Sequence, residues 1–235
     1  MIKEKNKCTA IVLAGGRGSR MHSDIEKQYM LLRGIPVICY SLLCFEKSSI
    51  IDDIVIVCAE DAVLKCRRDY VEKMGISKVS AIVPGGKERY DSVYEGLKAC
   101  ISPDYVFIHD SARPLISESI IERGYEEVKK AGACVVGVPS KDTIKLSGED
   151  GTVKETLPRD RLWIVQTPQI FRYDLIMSSY EKCIKDGMEG ITDDAMVVER
   201  AGNGPVKLVM GAYTNIKITT ASDMVLADCF LNEET

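Results

Sequence analysis

The sequence predicts an α/β fold with a mostly parallel central sheet, helices on both faces and a protruding β-hairpin arm. Short β-branched apolar runs alternate with helical stretches through the first part of the chain. The strand-like runs are apolar on both faces, which is typical of a parallel sheet covered by helices on both sides. Two polar strand-like runs then break this rhythm near residue 140, which predicts an exposed hairpin.

The first half of the chain supplies five predicted strands and four predicted helices. The strands span residues 9–14, 54–58, 79–83, 105–109 and 133–138, and the helices span 36–47, 61–73, 92–100 and 117–130. Ligands of such sheets bind beyond the carboxyl ends of the strands. Functional residues are therefore expected in the segments directly after strands, at 15–21, 85–89, 110–114 and 139–145.

The second half begins with the predicted hairpin, whose strands span 141–146 and 152–156 around the turn sequence SGEDG. An isolated hairpin is marginally stable in water, so we expect it to pack on a second subunit. Two helices at 173–185 and 192–201, two strands at 206–209 and 213–218, and a last helix from Thr220 complete the prediction.

Length and composition indicate one globular domain over residues 1–235, with residues 140–162 as an arm for dimerisation. Of the 235 residues, 46% are hydrophobic and the net charge is only −4, which excludes a mainly disordered chain. No apolar run approaches the ~18 residues of a membrane span, and no signal peptide is evident. The expectation is a cytoplasmic protein that does not bind membranes.

Charge and cysteine usage exclude two further classes of protein. Thirty-one Lys and Arg residues against 35 Asp and Glu residues are not the balance of a nucleic-acid-binding protein. The nine cysteines form no C-x-x-C motif and there are only two histidines, so a His-rich metal site is excluded. The cysteines are interpreted as core residues in a reducing compartment.

A glycine-rich segment, LAGGRGSRM at residues 13–21, directly follows the first predicted strand. Its glycines let the backbone approach a phosphate, and Arg17, Arg20 and Lys27 add positive charge. No Gly-Lys-Ser/Thr follows, and Met21 stands where a dinucleotide fingerprint has its third glycine. A solvated turn is the alternative, but the position after a strand favours a phosphate-binding loop.

Two more motifs follow predicted strands. In HDSARP at 109–114, Asp110 is suited to hold a divalent cation or a substrate hydroxyl, and Arg113 to bind a phosphate; a structural Asp–Arg pair fits equally well. His109 is interpreted as a packed strand residue. In GGKERYDS at 85–92, the backbone and Ser92 could read a base edge, although a plain turn fits the composition equally well.

Three weaker motifs lie in the second half. DTIK at 142–145, with Arg159 beyond it, places polar groups on the arm, and QTPQ at 166–169 is interpreted as an architectural turn. In NIKIT at 215–219, Lys217 would supply a point charge for a phosphate or simply protect a sheet edge. The chain has no G-x-S-x-G motif and no recognisable Cys/His pair, so the site is expected to stabilise phosphate charge rather than to form an acyl intermediate.

Together these motifs resemble the cytidylyltransferases of the glycosyltransferase-A-like nucleotidyltransferases, in particular the 2-C-methyl-D-erythritol 4-phosphate cytidylyltransferase family. The motifs that carry the resemblance are LAGGRGSRM, EKQY, GGKERYDSV, HDSARP, DTIK, QTPQIF, TDDA and NIKIT, which span residues 13 to 219. The resemblance implies cytidylyl transfer from CTP to a polyol phosphate, with Mg²⁺ and release of pyrophosphate. It also implies a homodimer with interlocked arms.

The resemblance further implies roles for individual residues. The CTP phosphates would be bound by Ala14, Gly15, Gly16 and Gly18. The cytosine would be bound by Gly86, Lys87 and Ser92. The catalytic cations would be Arg20, Lys27 and Lys217. The polyol phosphate would be bound by Asp110, Arg113, Thr143, Arg159 and Thr167. Asp110 would also face the metal. Thr143 and Arg159 would reach the substrate of the partner chain.

Three alternatives stay open at this point. Ser111 in HDSARP also occurs in the sister family of ribitol 5-phosphate cytidylyltransferases, whereas Lys145 and TDDA with Glu199 favour methylerythritol phosphate. A nucleotide-binding module without catalysis would keep the glycine loops but need neither Lys27 nor Lys217. A dehydrogenase would need an acidic residue at the end of the second strand, where the chain has one at 60–61.

Overall fold

A computed structural model describes residues 6–15 and 26–233 of the chain. Within these ranges the helices and strands alternate as an α/β fold. The strands, in chain order, are β1 Cys8–Ala14, β2 Leu31–Leu32, β3 Ile35–Pro36, β4 Asp53–Cys58, β5 Val79–Pro84, β6 Tyr105–Asp110, β7 Ala133–Pro139, β8 Lys145–Ser147, β9 Val153–Thr156, β10 Trp163–Arg172 and β11 Lys207–Met210.

The helices cover the sheet between these strands. In chain order they are α1 Val37–Lys47, α2 Val63–Lys65 with its π-helical continuation Cys66–Glu72, α3 Arg89–Ala99, α4 Glu118–Ala131, α5 Tyr173–Asp186, α6 Asp194–Ala201 and α7 Ala221–Glu233. No helix among the described residues is long and apolar enough to cross a membrane.

The central sheet has seven strands in the order β11-β7-β10-β6-β1-β4-β5. Strands β6, β1, β4 and β5 are parallel neighbours, and β11 is parallel to β7. Strand β10 lies between β6 and β7 and is antiparallel to both. The mostly parallel sheet predicted from the sequence is therefore confirmed, and the carboxyl ends of β6, β1, β4 and β5 meet at one edge.

Alternating residues of the strands fill two separate cores, one on each face of the sheet. In β1, Val12 belongs to the cluster that contains Phe45 of α1, whereas Ile11 belongs to the cluster that contains Leu97 of α3. All four side chains are fully buried. This alternation follows from the two-residue repeat of a strand and explains why the strands are apolar on both faces.

Two predictions for the second half of the chain are wrong. Residues 213–218 form no strand, and the segment 163–172, interpreted in part as a turn, is the ten-residue strand β10. The QTPQ motif lies inside β10, where the pairing with β7 shifts register between Val165 and Gln169 and where the Thr167–Pro168 peptide bond is cis. The motif is therefore an irregularity within a strand and not the end of one.

A hairpin of β8 and β9 forms a separate two-stranded antiparallel sheet, but β8 begins at Lys145 and not at residue 141, so its first strand is shorter than predicted. Every residue of both strands is exposed, including Leu146 and Val153. The hairpin therefore buries none of its apolar side chains within its own chain.

Candidate active site

A cavity of about 670 Å³ opens at the carboxyl ends of β1, β4, β5 and β6. This volume is within the range of small-molecule sites. The predicted site residues that the structure brings together there are Gly15, Lys27, Gly86, Lys87, Ser92, Asp110 and Lys217. Segments that follow three different strands thus converge on one edge of the sheet, as expected for a doubly wound fold.

The phosphate-loop end of the cavity is formed by Gly15 and by Lys27, which begins a short 3-10 helix. Between them, Gly16, Gly18 and Arg20 lie outside the described residues. Gln28 is buried and its Nε2 donates to the carbonyl oxygen of Ala14 at 2.7 Å. Gln28 therefore ties the chain after the glycine-rich segment to the end of β1. Sequence reasoning missed Gln28, although the EKQY motif contains it.

A second wall of the cavity is the turn between β5 and α3, where Ser92 lies beside Gly15. Ser92 Oγ accepts from the Gly86 amide at 3.1 Å and donates to the Glu88 carbonyl oxygen at 3.2 Å. Glu88 and Asp91 form a reciprocal capping box at the start of α3. A Cβ at Gly86 would overlap the Asp91 side chain. The turn is thus rigid, and its backbone is presented to the cavity.

A buried carboxylate, Asp110 at the end of β6, lies on the cavity wall between two cations. Its Oδ2 accepts from Lys217 Nζ at 2.6 Å and its Oδ1 accepts from Arg89 Nε at 3.3 Å. Burial alone would raise the pKa of Asp110, but the charges of Arg89 and Lys217 hold this pKa well below its ordinary value. Asp110 is therefore ionised at neutral pH.

Arg89, at the start of α3, joins the cavity to a second carboxylate behind it. Its two Nη atoms donate to Asp194 at 3.0 and 2.8 Å. Burial alone would lower the pKa of Arg89, but the charges of Asp194 and Asp110 raise this pKa well above its ordinary value. Arg89 and Asp194 lie in the motifs GGKERYDSV and TDDA, whose sequence pattern alone assigns neither residue a role.

His109 and Thr167 form a buried hydrogen-bonded pair beneath Asp110. Thr167 Oγ1 accepts from the Asp110 amide at 3.1 Å and lies 3.0 Å from His109 Nδ1, while His109 Nε2 lies 3.1 Å from the Arg113 carbonyl oxygen. These partners assign the neutral tautomer with its proton on Nε2. Burial lowers the pKa of His109 to about 4. The interpretation of His109 as a packed strand residue agrees with this geometry.

The segment that carries Lys217 has no regular secondary structure and is held by side chains. Asn215 is buried, its Nδ2 donates to the Thr167 carbonyl oxygen at 2.9 Å, and its own carbonyl oxygen accepts from Arg113 at 2.8 Å. The Ile218 amide donates to the Ala112 carbonyl oxygen at 2.8 Å. The guanidinium of Arg113 thus faces backbone carbonyls, and Lys217 is positioned without a strand.

The two predicted arm residues are not brought to the cavity of their own chain. Thr143 is exposed, and Arg159, which is also exposed, donates to the Lys141 carbonyl oxygen at 3.5 Å. Neither residue lines the cavity. Their predicted contact with substrate therefore requires a second chain.

The possible metal ligands of the cavity are few. Glu88 and Asp110 are the carboxylates that line it, and no cluster of three His, Cys, Asp or Glu side chains suited to a metal occurs in ranges 6–15 and 26–233. Mg²⁺ is commonly held by one or two carboxylates together with substrate phosphates and water. A carboxylate has about four lone-pair sites, and Lys217 and Arg89 use two on Asp110. The donor set therefore fits Mg²⁺ bound with a nucleotide.

The comparison with known families gives a match over nearly the whole chain. The family model of 2-C-methyl-D-erythritol 4-phosphate cytidylyltransferase matches residues 8–233. An enzyme of that name from Lachnospira eligens is 48% identical over 224 residues, which cover 95% of this chain and 98% of the relative. One from Lachnoclostridium phytofermentans is 45% identical and covers 97% of each chain.

Solved structures agree with these sequence matches. The 4-diphosphocytidyl-2C-methyl-D-erythritol synthase from Anaerococcus prevotii superposes with a TM-score of 0.85 at 32% identity and covers 97% of both chains. A 2-C-methyl-D-erythritol 4-phosphate cytidylyltransferase from Thermus thermophilus gives a TM-score of 0.76 at 26% identity, over 94% of this chain and 98% of the other.

Proposed function

Because this chain belongs to the 2-C-methyl-D-erythritol 4-phosphate cytidylyltransferase family, it is a CTP-dependent nucleotidyltransferase, and we propose that the cavity at the carboxyl edge of the sheet is where it acts. The reaction joins CTP and 2-C-methyl-D-erythritol 4-phosphate into a CDP-polyol, a step of non-mevalonate isoprenoid synthesis. The observation that carries the placement is the convergence of Gly15, Lys27, Gly86, Asp110 and Lys217 on one cavity.

The proposed binding mode follows from the two loops that line the cavity, one after β1 and one after β5. The cytosine lies against the turn at Gly86 and Lys87 with Ser92 behind it, where the backbone is rigid and accessible. The triphosphate extends toward Gly15 and Lys27 and continues onto Ala14, Gly16, Gly18 and Arg20 of the glycine-rich segment. Helix termini and glycine loops favour anions in this way because their amides point outward.

The chemistry requires charge stabilisation and no general base. A phosphate oxygen of the acceptor attacks the α-phosphorus of CTP, and the bond from that phosphorus to the oxygen of the β-phosphate breaks, so pyrophosphate leaves. The acceptor is already an anion, so the barrier is repulsion between it and the triphosphate. Lys27, Lys217 and Arg20 are proposed to reduce this repulsion and to stabilise the charge of the transition state. His109 takes no part, because it is neutral and both ring nitrogens are engaged.

We propose Mg²⁺ as the divalent cation of the site, with Asp110 as its protein ligand. When bound, Mg²⁺ would neutralise charge on the triphosphate. Asp110 is ionised and lies on the cavity wall, where a carboxylate oxygen can face a nucleotide phosphate.

We also propose that residues 1–235 form one nucleotidyltransferase domain and that residues 140–162 form an arm that dimerises. The hairpin region leaves the apolar side chains of Ile144, Leu146 and Val153 exposed by 40%, 50% and 62%, which a second chain could cover. In such a dimer, Thr143 and Arg159 of one chain would contact the acceptor phosphate in the partner's cavity. Arg113 and Thr167, to which the resemblance assigns the same phosphate, do not line the cavity: the Arg113 guanidinium donates to backbone carbonyl oxygens and Thr167 is buried against His109 and Asp110. The cytoplasmic location expected from the sequence stays a prediction.

The proposed function is tested by pyrophosphate release from CTP and Mg²⁺ with two acceptors. We expect release with 2-C-methyl-D-erythritol 4-phosphate and use of ribitol 5-phosphate that is poorer by about tenfold or more, which is the lower end of the discrimination that one extra or missing methylene gives. The opposite preference would assign the chain to the ribitol phosphate enzymes. Binding of CTP with release from neither acceptor would indicate a non-catalytic nucleotide-binding module.

A further inference from the structure

Asp194 is a fully buried carboxylate that lies outside the cavity and yet bonds to the cavity wall. It is 0% exposed and begins α6. Its oxygens accept three hydrogen bonds, two from the Nη atoms of Arg89 and one from Tyr180 Oη at 2.7 Å. A buried charge is tolerated only when it is paired and hydrogen-bonded. Asp194 meets that condition through Arg89.

The orientation of Asp194 is fixed from the sheet. Gln169 of β10 is buried, and its Oε1 accepts from the amides of Asp194 and Ala195 at 2.9 and 3.0 Å. Its Nε2 donates to Asp193, which caps the same helix. The start of α6 is therefore anchored on β10, the strand that pairs with β6.

The guanidinium of Arg89 is divided between the two carboxylates. Both Nη atoms face Asp194, and only Nε reaches Asp110, at 3.3 Å. The second oxygen of Asp110 then accepts from Lys217 at 2.6 Å. A guanidinium binds a carboxylate best through two parallel hydrogen bonds. In the absence of Asp194, Arg89 would be expected to bind Asp110 in that way and to compete with Lys217.

We propose that Asp194 is a positioning residue for cytidylyl transfer, because it holds Arg89 away from full pairing with Asp110 and so keeps Asp110 available to orient Lys217. The two carboxylates and the two cations balance, so the row Asp194–Arg89–Asp110–Lys217 carries no net charge at the cavity wall. Neutralising Asp194 leaves one excess positive charge and removes the group that directs Arg89. This inference rests on the proposed roles of Asp110 and Lys217.

The test is steady-state kinetics of Asp194→Asn in the full chain, with melting temperatures measured in parallel. The substitution keeps the shape of the side chain and removes its charge. Groups that orient a site residue without contacting substrate cost about 10- to 100-fold in activity when removed, so we expect kcat to fall by that amount. The KM for CTP should change by less than about threefold, since Asp194 does not line the cavity in which the base and triphosphate are proposed to bind.

Tyr180→Phe is the matched control. It removes one hydrogen bond to the same carboxylate but leaves its charge and both bonds to Arg89. We expect a lower melting temperature with kcat within about twofold of the unmodified chain, because removing a buried hydrogen bond acts on stability. An equal fall of kcat in Tyr180→Phe and Asp194→Asn, in proportion to the loss of melting temperature, would assign Asp194 a structural role and overturn the proposal.

Arg89→Lys keeps the experiment informative if Asp194→Asn does not fold. One ammonium cannot occupy the three donor positions of Arg89, so kcat should fall although the charge is kept. Asp194 is proposed to act through Arg89. The double variant Asp194→Asn/Arg89→Lys should therefore lose no more kcat than the more damaging of the two single variants. Unchanged kcat in Asp194→Asn or Arg89→Lys, or losses that multiply, would overturn the inference.

Lys217→Ala separates this inference from the proposed site. If Lys217→Ala loses activity while Asp194→Asn keeps it, only the positioning role has failed. If Lys217→Ala also keeps full activity, the assignment of the cavity has failed, and the positioning role fails with it.

Discussion

Lys217 Nζ and Asp110 Oδ2 lie 2.6 Å apart on the wall of the cavity, although 107 residues separate them in the chain. The pair forms because β6 delivers the carboxylate and an irregular segment, anchored by Asn215, delivers the ammonium. Lys217 is 37% exposed and Asp110 is 11% exposed, so the cation is the accessible partner. The pair therefore presents the ammonium of Lys217 to a substrate phosphate, while the carboxylate of Asp110 stays mostly buried.

Lys217→Ala should impair the reaction with little effect on folding. We expect kcat/KM for the acceptor phosphate to fall by roughly two decades, the loss typical of one preorganised electrostatic group. The melting temperature should fall only modestly, because buried Asp110 loses one cation but keeps its contact with Arg89. Initial rates at varied acceptor concentration measure the effect. Wild-type kcat/KM in this variant would remove Lys217 from the site.

Lys27→Ala should act on the chemical step more than on nucleotide binding. If the charge of Lys27 serves the transition state, kcat should fall by roughly two or more decades. CTP affinity, measured by calorimetry without acceptor, should change much less. A variant that loses CTP affinity but keeps kcat would show that Lys27 binds ground state and transition state equally.

Because His109 is buried and neutral, we expect the free energy of unfolding to fall in mild acid. The pKa of His109 is lowered by burial from 6.5 to about 4. Between pH 6.5 and about 4, His109 therefore takes up a proton in the unfolded chain but not in the folded chain. The contribution of His109 to the free energy of unfolding is complete above pH 6.5 and is lost as the pH falls toward 4. The expected loss is about 3 kcal/mol.

Urea unfolding at several pH values between 7 and 4 measures this slope. His109→Gln is the matched variant, since it removes the titrating group and keeps a polar side chain, and its stability should depend less steeply on pH in this range. Carboxylates with lowered pKa values, such as Asp110, lose their contribution only at lower pH. Equal slopes in the variant and the unmodified chain would refute the assignment to His109.

The arm predicts that two inactive variants complement each other. Arg159→Ala should cost on the order of 2–3 kcal/mol of transition-state binding, since a charge-assisted phosphate contact is lost. When these chains exchange subunits with Lys27→Ala chains, a mixed dimer has both defects in one cavity and one intact cavity. Activity should then recover toward half of the wild-type value per mixed dimer. No recovery, with exchange verified by mass, would place Arg159 in its own chain's site or in none.

The cavity end of the sheet could be predicted from the sequence because short-range patterns specify it. Apolar runs give β1, β4, β5 and β6, and the glycine motifs follow them directly. Strand β10 was missed because Pro168 within QTPQ is typical of a turn, whereas the structure accommodates it at a shift of strand register. The alternation of 213–218 suggested a strand, but Asn215 and Ile218 are held by side-chain and loop contacts instead.

The positioning network could not be predicted from the sequence. Arg89 and Asp194 are 105 residues apart, and nothing in the local pattern shows that they meet. An acidic residue at the start of a helix is ordinarily a surface residue favoured by the helix dipole. Only the fold shows that Asp194 is buried and directed toward β6.

The most direct test of the proposed site is a crystal structure of the protein with CTP and Mg²⁺. We expect the cytosine ring within about 4 Å of Gly86 and Ser92, which is contact distance. We expect the α-phosphate beside Lys27 and facing Asp110 and Lys217. A nucleotide bound away from this cavity, or bound with its base at Lys27 and its phosphates at Gly86, would contradict the proposed binding mode.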